Sequence, residues 1–389
     1  MKFAHISDLH LGMRIYDRKI AKDQAYILDE IIKILKKENP DGVFISGDIY
    51  DRPIPPEESV DMLNRFLAQI HDLGQDIYMI SGNHDSPERI DFGTDLLESA
   101  GVYVAGKYDG HLRKITKKDE FGELDIFLMP YIKPAFVKNA LREADKTGKS
   151  SRDKKVITGS GKEAEEEADL KKLDHETAVR MVLETNPPDR SRRNIILAHQ
   201  FVNGATRTDS EEVLVGYVEA VSDGIFDAFD YVALGHLHKR QKIKRDGQLY
   251  CGTPLKYSFK EEKNEKSVTF VEMKEKGDVS ITSVPLTPLR DMRSIRGSFE
   301  ELEKGESEDY IRAVLTDDAP VPYAFNRLRC RYPNLLKLEY EHTSDFSGYV
   351  NREVDLKMKT PGELFEEFFE KCTGRKMDEE EKEILKDIV

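Results

Sequence analysis

Five short apolar runs in this chain each break off into a polar loop carrying Asp, Asn or His, and that recurrence limits the fold more than any other feature. The runs are Phe3–Ser7, Gly42–Ser46, Ile77–Ser81, Ile195–Ala198 and Tyr231–Leu234. Apolar runs of this length, bounded by turn signals, predict buried strands. Between them lie helical patterns. Ile20, Gln24, Leu28, Ile31, Ile32 and Leu35 recur at helical spacing with one polar member, as do Val60, Leu63, Leu67 and Ile70 ahead of a terminating Gly74. Strands alternating with helices predict a layered α/β fold. In such folds ligands gather beyond the C-terminal ends of strands.

The loops after the five runs hold Asp8-Leu9-His10, Gly47-Asp48-Ile49-Tyr50-Asp51, Gly82-Asn83-His84-Asp85, His199 and Gly235-His236-Leu237-His238. These are hard oxygen and imidazole donors with no thiolate among them. The mix suits manganese, iron or zinc at a hydrolytic site better than a structural zinc site. Taken singly, such an Asp is more commonly a cap and such a His a surface or core residue. Their recurrence at one topological place makes them a joint metal-binding set. Alternate residues in Asp8-x-His10 and His236-x-His238 can aim two side chains at one point from an extended segment. Glycines before Asp48, Asn83 and His236 allow a sharp turn. His5 sits inside a strand and is expected to pack. His71, His111, His175 and His342 lie in polar, unpatterned surroundings and receive no role.

The 389 residues are 39% hydrophobic and 34% charged, enough for a core under a heavily charged surface. The length predicts two or three domains. No run of ~18 apolar residues is present, so no membrane span is expected. No signal-peptide pattern opens the chain, and Cys251, Cys330 and Cys372 read as free thiols, so a cytoplasmic location is expected. The net charge of −14 argues at first against a nucleic-acid partner. Acid is concentrated in Glu163–Asp169, Glu300–Asp309 and the tail from Glu363, however, while His238–Arg245 is basic. Bound divalent cations would add positive charge that the count ignores.

Residues 1–280 are expected to form the catalytic domain, with Ser267–Glu272 as its last strand. Within it, 141–173 is a charged stretch poor in apolar residues, expected to be a partly disordered insertion, followed by a helix at His175–Glu184. A smaller domain is expected over 285–345, with strands Ser294–Phe299, Tyr310–Leu315 and Leu335–Tyr340. Two acidic amphipathic helices are expected over 361–389, with Leu364, Phe365, Phe368 and Phe369 on one stripe and Ile384, Leu385, Ile388 and Val389 on the other. Short stripes of this kind call for a groove to enter, in a partner or in the chain's own second domain.

The order D-x-H, G-D-x-x-D, G-N-H-D, H, G-H-x-H resembles that of the calcineurin-like metallophosphoesterases. More narrowly, Asp8–Gly12, Gly47–Pro53, Ala198–Phe201 and Gly252–Phe259 resemble the SbcD nuclease subunits, bacterial equivalents of the Mre nucleases of archaea and eukaryotes. The resemblance covers most of residues 1–275 and more loosely the rest. It implies a central β-sandwich flanked by helices, with a smaller α/β cap domain and C-terminal helices. It implies Asp8, His10 and His238 as ligands of one metal ion, Asn83, His199 and His236 of a second, and Asp48 bridging them. Mn2+ is the metal expected, with Mg2+ as the alternative. Where archaeal and eukaryotic relatives carry a second His shortly after the bridging Asp, this chain has Asp51, as the bacterial branch does.

The activity implied is that of a DNA nuclease, exonuclease on duplex ends and endonuclease on hairpins or single strands, in repair and recombination. The implied partner is SbcC, an ABC-type ATPase whose coiled-coil base receives the C-terminal helices. A homodimer within a heterotetramer is also implied, through helix Glu57–Leu73 and a short helix Asp91–Ser99; the alternative is that the stripe on the first helix simply packs on the sheet. His84, directly after Asn83, can reach the phosphate without ligating and assist the leaving group, with Asp85 as its orienting partner. Arg52 and Arg89 are candidates for phosphate contacts or for solvated surface charges. The rival reading is a phosphoesterase for another substrate. Gly47-Asp48-x-x-Asp51-Arg52 is similar to the Ser/Thr protein phosphatases, yet those follow the Arg with Gly and end the third motif in Glu, where Pro53 and Asp85 stand here. A scaffold that has lost its metals is a second rival, against which every expected ligand is present.

Overall fold

The computed structural model describes residues 1–146, 173–206 and 220–341, with isolated positions in the tail. The chain divides into two compact units, Met1–Met292 and Arg293–Val389. In the first unit the order is β1 (Lys2–Ile6), a hairpin of β2 (Arg14–Ile15) and β3 (Arg18–Lys19), α1 (Ala21–Glu38), β4 (Gly42–Ser46), α2 (Glu57–Asp72) and β5 (Asp76–Ile80). Short helices α3 (Pro87–Ile90) and α4 (Thr94–Leu97) lead to β6 (Val102–Ala105), β7 (Arg113–Asp119), β8 (Gly122–Met129) and α5 (Pro134–Lys146). Then come α6 (His175–Thr185), β9 (Arg193–His199), β10 (Phe201–Val202), β11 (Ala220–Val221), β12 (Tyr231–Gly235), β13 (Gln241–Ile243), β14 (Arg245–Tyr250), β15 (Ser267–Met273) and β16 (Val279–Pro285).

Two six-stranded sheets result, in the orders β16-β15-β1-β4-β5-β6 and β13-β14-β12-β9-β8-β7. In the first sheet β1, β4, β5 and β6 run parallel, with β6 at one edge and the antiparallel β15 and β16 at the other; in the second, β8, β9, β12 and β14 run parallel and the antiparallel β7 and β13 close both edges. The period-2 alternation of β9 explains the layering. Ile195 and Leu197 point into a core shared with Phe3, Phe44 and Tyr78 of the first sheet. Ile196 and Ala198 point the other way, onto Val137 of α5 and Val179 and Val182 of α6. Each such aliphatic side chain withdrawn from water contributes ~1.5–3 kcal/mol. The first unit is thus a sandwich with helices outside, as the resemblance implied.

Three expectations change. Strand β16 runs on to Pro285 and pairs with β15 along its whole length, so Ser267–Glu272 is not the last strand of its unit. The segment Asp91–Ser99 is not one helix: Gly93, at φ 75°, ends one turn and caps the next. On α2 the buried positions are Ser59, Met62, Leu63, Phe66 and Ile70, while Val60 is exposed. Of the expected insertion 141–173, the first residues complete α5, and 147–172 lie outside the described residues.

The second unit holds a three-stranded sheet, β17 (Met292–Gly297), β18 (Tyr310–Leu315) and β19 (Leu335–Tyr340), with α7 (Phe299–Leu302) and α8 (Ala324–Arg329). Its core gathers Phe299, Ile311, Ala313, Leu315, Leu328 and Leu335. Ser298 and Glu301 form a capping box that starts α7. His342 and the tail stripes, Phe369 apart, lie outside the described residues. Among the described residues no helix is long and apolar enough to cross a membrane.

Candidate metal centre

The parallel strands β1, β4 and β5 of one sheet and β9 and β12 of the other deliver their C-terminal ends to one place. Three overlapping trios have donor atoms within 4.8 Å of one another: Asp8, His10 and His238; Asp8, Asp48 and His199; and His10, Asp48 and His84. Asn83 joins through its Oδ1, 3.0 Å from His199 Nε2 and 3.0 Å from His236 Nδ1. All seven expected ligands are therefore gathered, and His84 stands close enough to share a trio with two of them.

The backbone that aims these groups is not extended, as alternate spacing had suggested. Asp8, His10, Asp48 and His236 have φ of 53°, 43°, 48° and 102°. Hydrogen bonds from Asp8 N to Gly47 O (3.0 Å), His10 N to Asp48 O (3.0 Å) and Leu11 N to Ile49 O (2.9 Å) carry the β1–β4 pairing past the strand ends. Gly47, at φ 87°, makes a true left-handed turn. Gly82 and Gly235 serve instead by having no side chain. A Cβ on Gly82 would come within 2.1 Å of Asp48 Oδ1, and one on Gly235 within 1.9 Å of Ser46 O.

Side-chain bonds fix the rings. His199 Nδ1 donates to Ser46 O at 2.8 Å, which turns Nε2 toward Asp48 Oδ2 at 3.2 Å. His236 N donates to Asp8 Oδ1 and His84 N to Asp48 Oδ1, both at 3.0 Å. His84 Nδ1 donates to the Asp51 carbonyl at 3.0 Å. Asp85, expected to orient His84, is bonded to the backbone of two loops. Its carboxylate accepts from Ile49 N (3.1 Å), Tyr50 N (2.9 Å) and Gly82 N (2.8 Å), clamping the loop after β4 to the loop after β5.

Burial dominates the electrostatics. It raises Asp8 and Asp85 to about 6 and pushes His10 well below the usual histidine range. It also opposes the charge on Asp48 and His199, but their mutual attraction wins. Asp48 is held well below the carboxylate range and His199 rises to about 9. Both ring nitrogens of His10 are buried without a hydrogen-bond partner among the described residues, which is costly unless something else meets them. A crowd of buried carboxylates and imidazoles with an unmatched ligand nitrogen fits divalent cations.

Arg52 and Arg89 are both exposed at the surface, and Arg52 lies 3.6 Å from the Asp51 carboxylate. His5 is fully buried and bonded to Tyr231, as expected. His71 and His111 are exposed. His175 is not a surface residue: it is 1% exposed, with Nε2 2.7 Å from Gln200 Oε1. Sequence reasoning also passed over Ser7, which bonds Asp8, and the buried pair Glu261 and Lys266 beside His238.

A two-sheet sandwich with ligand-bearing loops at one end defines a metallophosphoesterase, and residues 1–240 match the calcineurin-like phosphoesterase family. Residues 288–373 match the type 5 capsule protein repressor C-terminal domain. The SbcD subunit of the SbcCD nuclease of Staphylococcus saprophyticus is 30% identical over 384 residues, 96% of this chain and 94% of its own. The SbcD subunit of Staphylococcus epidermidis is 28% identical over 401 residues, 100% of this chain and 98% of its own. The crystal structure of a dimetal phosphatase from Danio rerio aligns with 74% of this chain and 98% of its own, at 13% identity and a TM-score of 0.38. This chain belongs to the SbcD branch of the calcineurin-like phosphoesterases.

Proposed function

We propose that the chain is the DNA-cleaving component of an SbcC–SbcD-type complex, a cytoplasmic phosphodiesterase that processes DNA ends in repair and recombination. The observation that carries this reading is the convergence of seven ligand-type residues from five loops, in a chain aligned almost end to end with nuclease subunits. Asp8, His10 and His238 would hold one ion and Asn83, His199 and His236 a second, with Asp48 available to both. Mn2+ is the preferred ion on the resemblance to the SbcD subunits, and the mix of hard oxygen and imidazole donors accommodates it. Bound there, two ions supply an acidified water and neutralise phosphate oxygens.

The chain's own groups do the rest. Ser46 O fixes the tautomer of His199. His84, held through Nδ1 by the Asp51 carbonyl, presents Nε2 as the acid for the leaving oxygen. Asp85 keeps the loops of Asp48 and Asn83 in register. Arg52 and Arg89 meet phosphates along the strand. The substrates are duplex ends, cut exonucleolytically, and hairpins or single strands, cut internally. Two copies pair through the surface around α2, α3 and α4, where Phe92 is 86%, Leu96 81% and Ile54 71% exposed. An SbcC-type ATPase docks on the C-terminal helices.

The test compares wild type and Asp48→Ala on open duplex, end-blocked duplex and single-stranded DNA, against phosphopeptide and nucleotide monoesters. Metal-dependent cleavage of DNA is expected for wild type alone. Asp48→Ala is expected to keep its circular dichroism spectrum while losing metal and cleavage together. Near two equivalents of metal in folded Asp48→Ala would overturn the bridging role. Monoester hydrolysis without DNA cleavage would overturn the nuclease reading.

A further inference from the structure

A buried ion pair stands behind the candidate centre, against His238. Glu261 is 0% exposed and Lys266 8%. Glu261 Oε2 lies 2.6 Å from Lys266 Nζ, and its Oε1 lies 3.3 Å from Nδ1 of His238. Lys266 Nζ also donates to the His238 carbonyl at 3.0 Å and to Thr253 Oγ1 at 2.5 Å. Thr253 in turn donates its hydroxyl proton to Leu255 O at 2.7 Å. One charge pair therefore grips His238 twice, at the ring and at the backbone carbonyl. Burying both charges is costly in desolvation, and a well-packed apolar pair would commonly serve stability as well or better. The double grip gives the pair a different use.

We propose that Glu261 is a positioning residue for metal binding, with Lys266 holding it in place. By accepting the Nδ1 proton of His238, Glu261 fixes the neutral tautomer whose Nε2 serves the trio with Asp8 and His10, and it sets the ring's angle. The Lys266 ammonium keeps the carboxylate from swinging into the centre to become a ligand itself. It also pins the carbonyl of His238, so that ring and backbone are oriented from one point. Partners of this kind behind a ligating histidine alter metal affinity by ~10–100-fold. The proposal rests on the reading of Asp8, His10 and His238 as one ion's ligands.

The experiment titrates metal-free protein with Mn2+ by calorimetry and follows thermal unfolding of the same metal-free samples. The variants are Glu261→Gln and the paired Glu261→Leu/Lys266→Met, which removes both charges without leaving one buried alone. The paired variant is expected to unfold near the wild-type midpoint. One of its two Mn2+ equivalents should weaken ~10–100-fold while the other holds. Glu261→Gln keeps an acceptor oxygen and should lose less, with kcat returning toward wild type at saturating Mn2+. Should the paired variant fail to fold, Glu261→Gln carries the test alone: a selective weakening of one equivalent supports the proposal. Two equivalents bound at wild-type affinity by the folded variants would overturn it. A wild-type chain that binds no Mn2+ would overturn the metal-centre reading itself, and one that binds two but cuts no DNA would overturn only the nuclease reading.

Discussion

Asp8, His10, Asp48 and His236 hold a left-handed backbone that costs a non-glycine residue ~1–3 kcal/mol. The backbone bonds from Asp8 and His10 to the neighbouring loop are what sustain it there. His84 does not share that conformation, and its trio with His10 and Asp48 puts it in reach of both ligation and catalysis. Its role is decided by substitution. His84→Ala is expected to retain both metal equivalents and DNA binding while turnover falls ~10²–10⁴-fold, as for a general acid. Loss of metal, or cleavage at the wild-type rate, would remove it from that role. The candidate ligands were legible in the sequence because their chemical types recur at one topological place. Glu261 and Lys266 were not. In Phe259–Lys266 the residues Lys260, Lys263 and Glu265 face solvent, and nothing in the string marks which Glu and which Lys turn inward. The anchoring of Asp85 to the amides of Ile49 and Tyr50 was not legible either, since those residues lie more than thirty positions away in the chain.

At the scale of elements, the apolar runs that predicted β1, β4, β5, β9 and β12 were legible because each is buried on both faces. Strand β16 escaped because its side chains alternate weakly and stand half-exposed at a sheet edge. Helix α2 shows how a stripe can be read two ways. Met62, Leu63, Phe66 and Ile70 face inward, so most of its apolar surface belongs to the monomer. The exposed apolar side chains that a second copy could cover are Val60, Ile54 and, beyond α3, Phe92, Leu96 and Leu97. Burying a Phe or Leu of this exposure contributes ~1.5–3 kcal/mol, enough for two or three such residues to decide an equilibrium at micromolar concentration. The paired substitution Phe92→Glu/Leu96→Glu is expected to leave the thermal midpoint unchanged and convert a dimeric sedimentation profile to a monomeric one. A wild-type chain that sediments strictly as a monomer, alone and with the ATPase, would refute the pairing.

For the whole molecule, the net charge of −14 is a poor guide to partners, because the acid is concentrated in stretches other than the ligand-bearing loops and the centre is built to hold cations. The tail carries the remaining expectation about assembly. Deleting residues 361–389 is expected to spare metal-dependent cutting of single-stranded DNA while abolishing stable binding to the ATPase and ATP-stimulated cutting of duplexes. Co-purification of the truncated chain with the ATPase at undiminished affinity would show that docking occurs elsewhere. One feature of the sandwich reaches further. Asp8, His10, Asp48 and Asn83 hang from one sheet, and His199, His236 and His238 from the other. Ions shared between these two groups would be ligands of the folded state only, so their concentration enters the folding equilibrium directly. At a hundred times its dissociation constant, a single such ion adds ~2.7 kcal/mol, comparable to a well-buried leucine. The supply of free metal in the cell would then set not only how fast this protein works but how long it lasts.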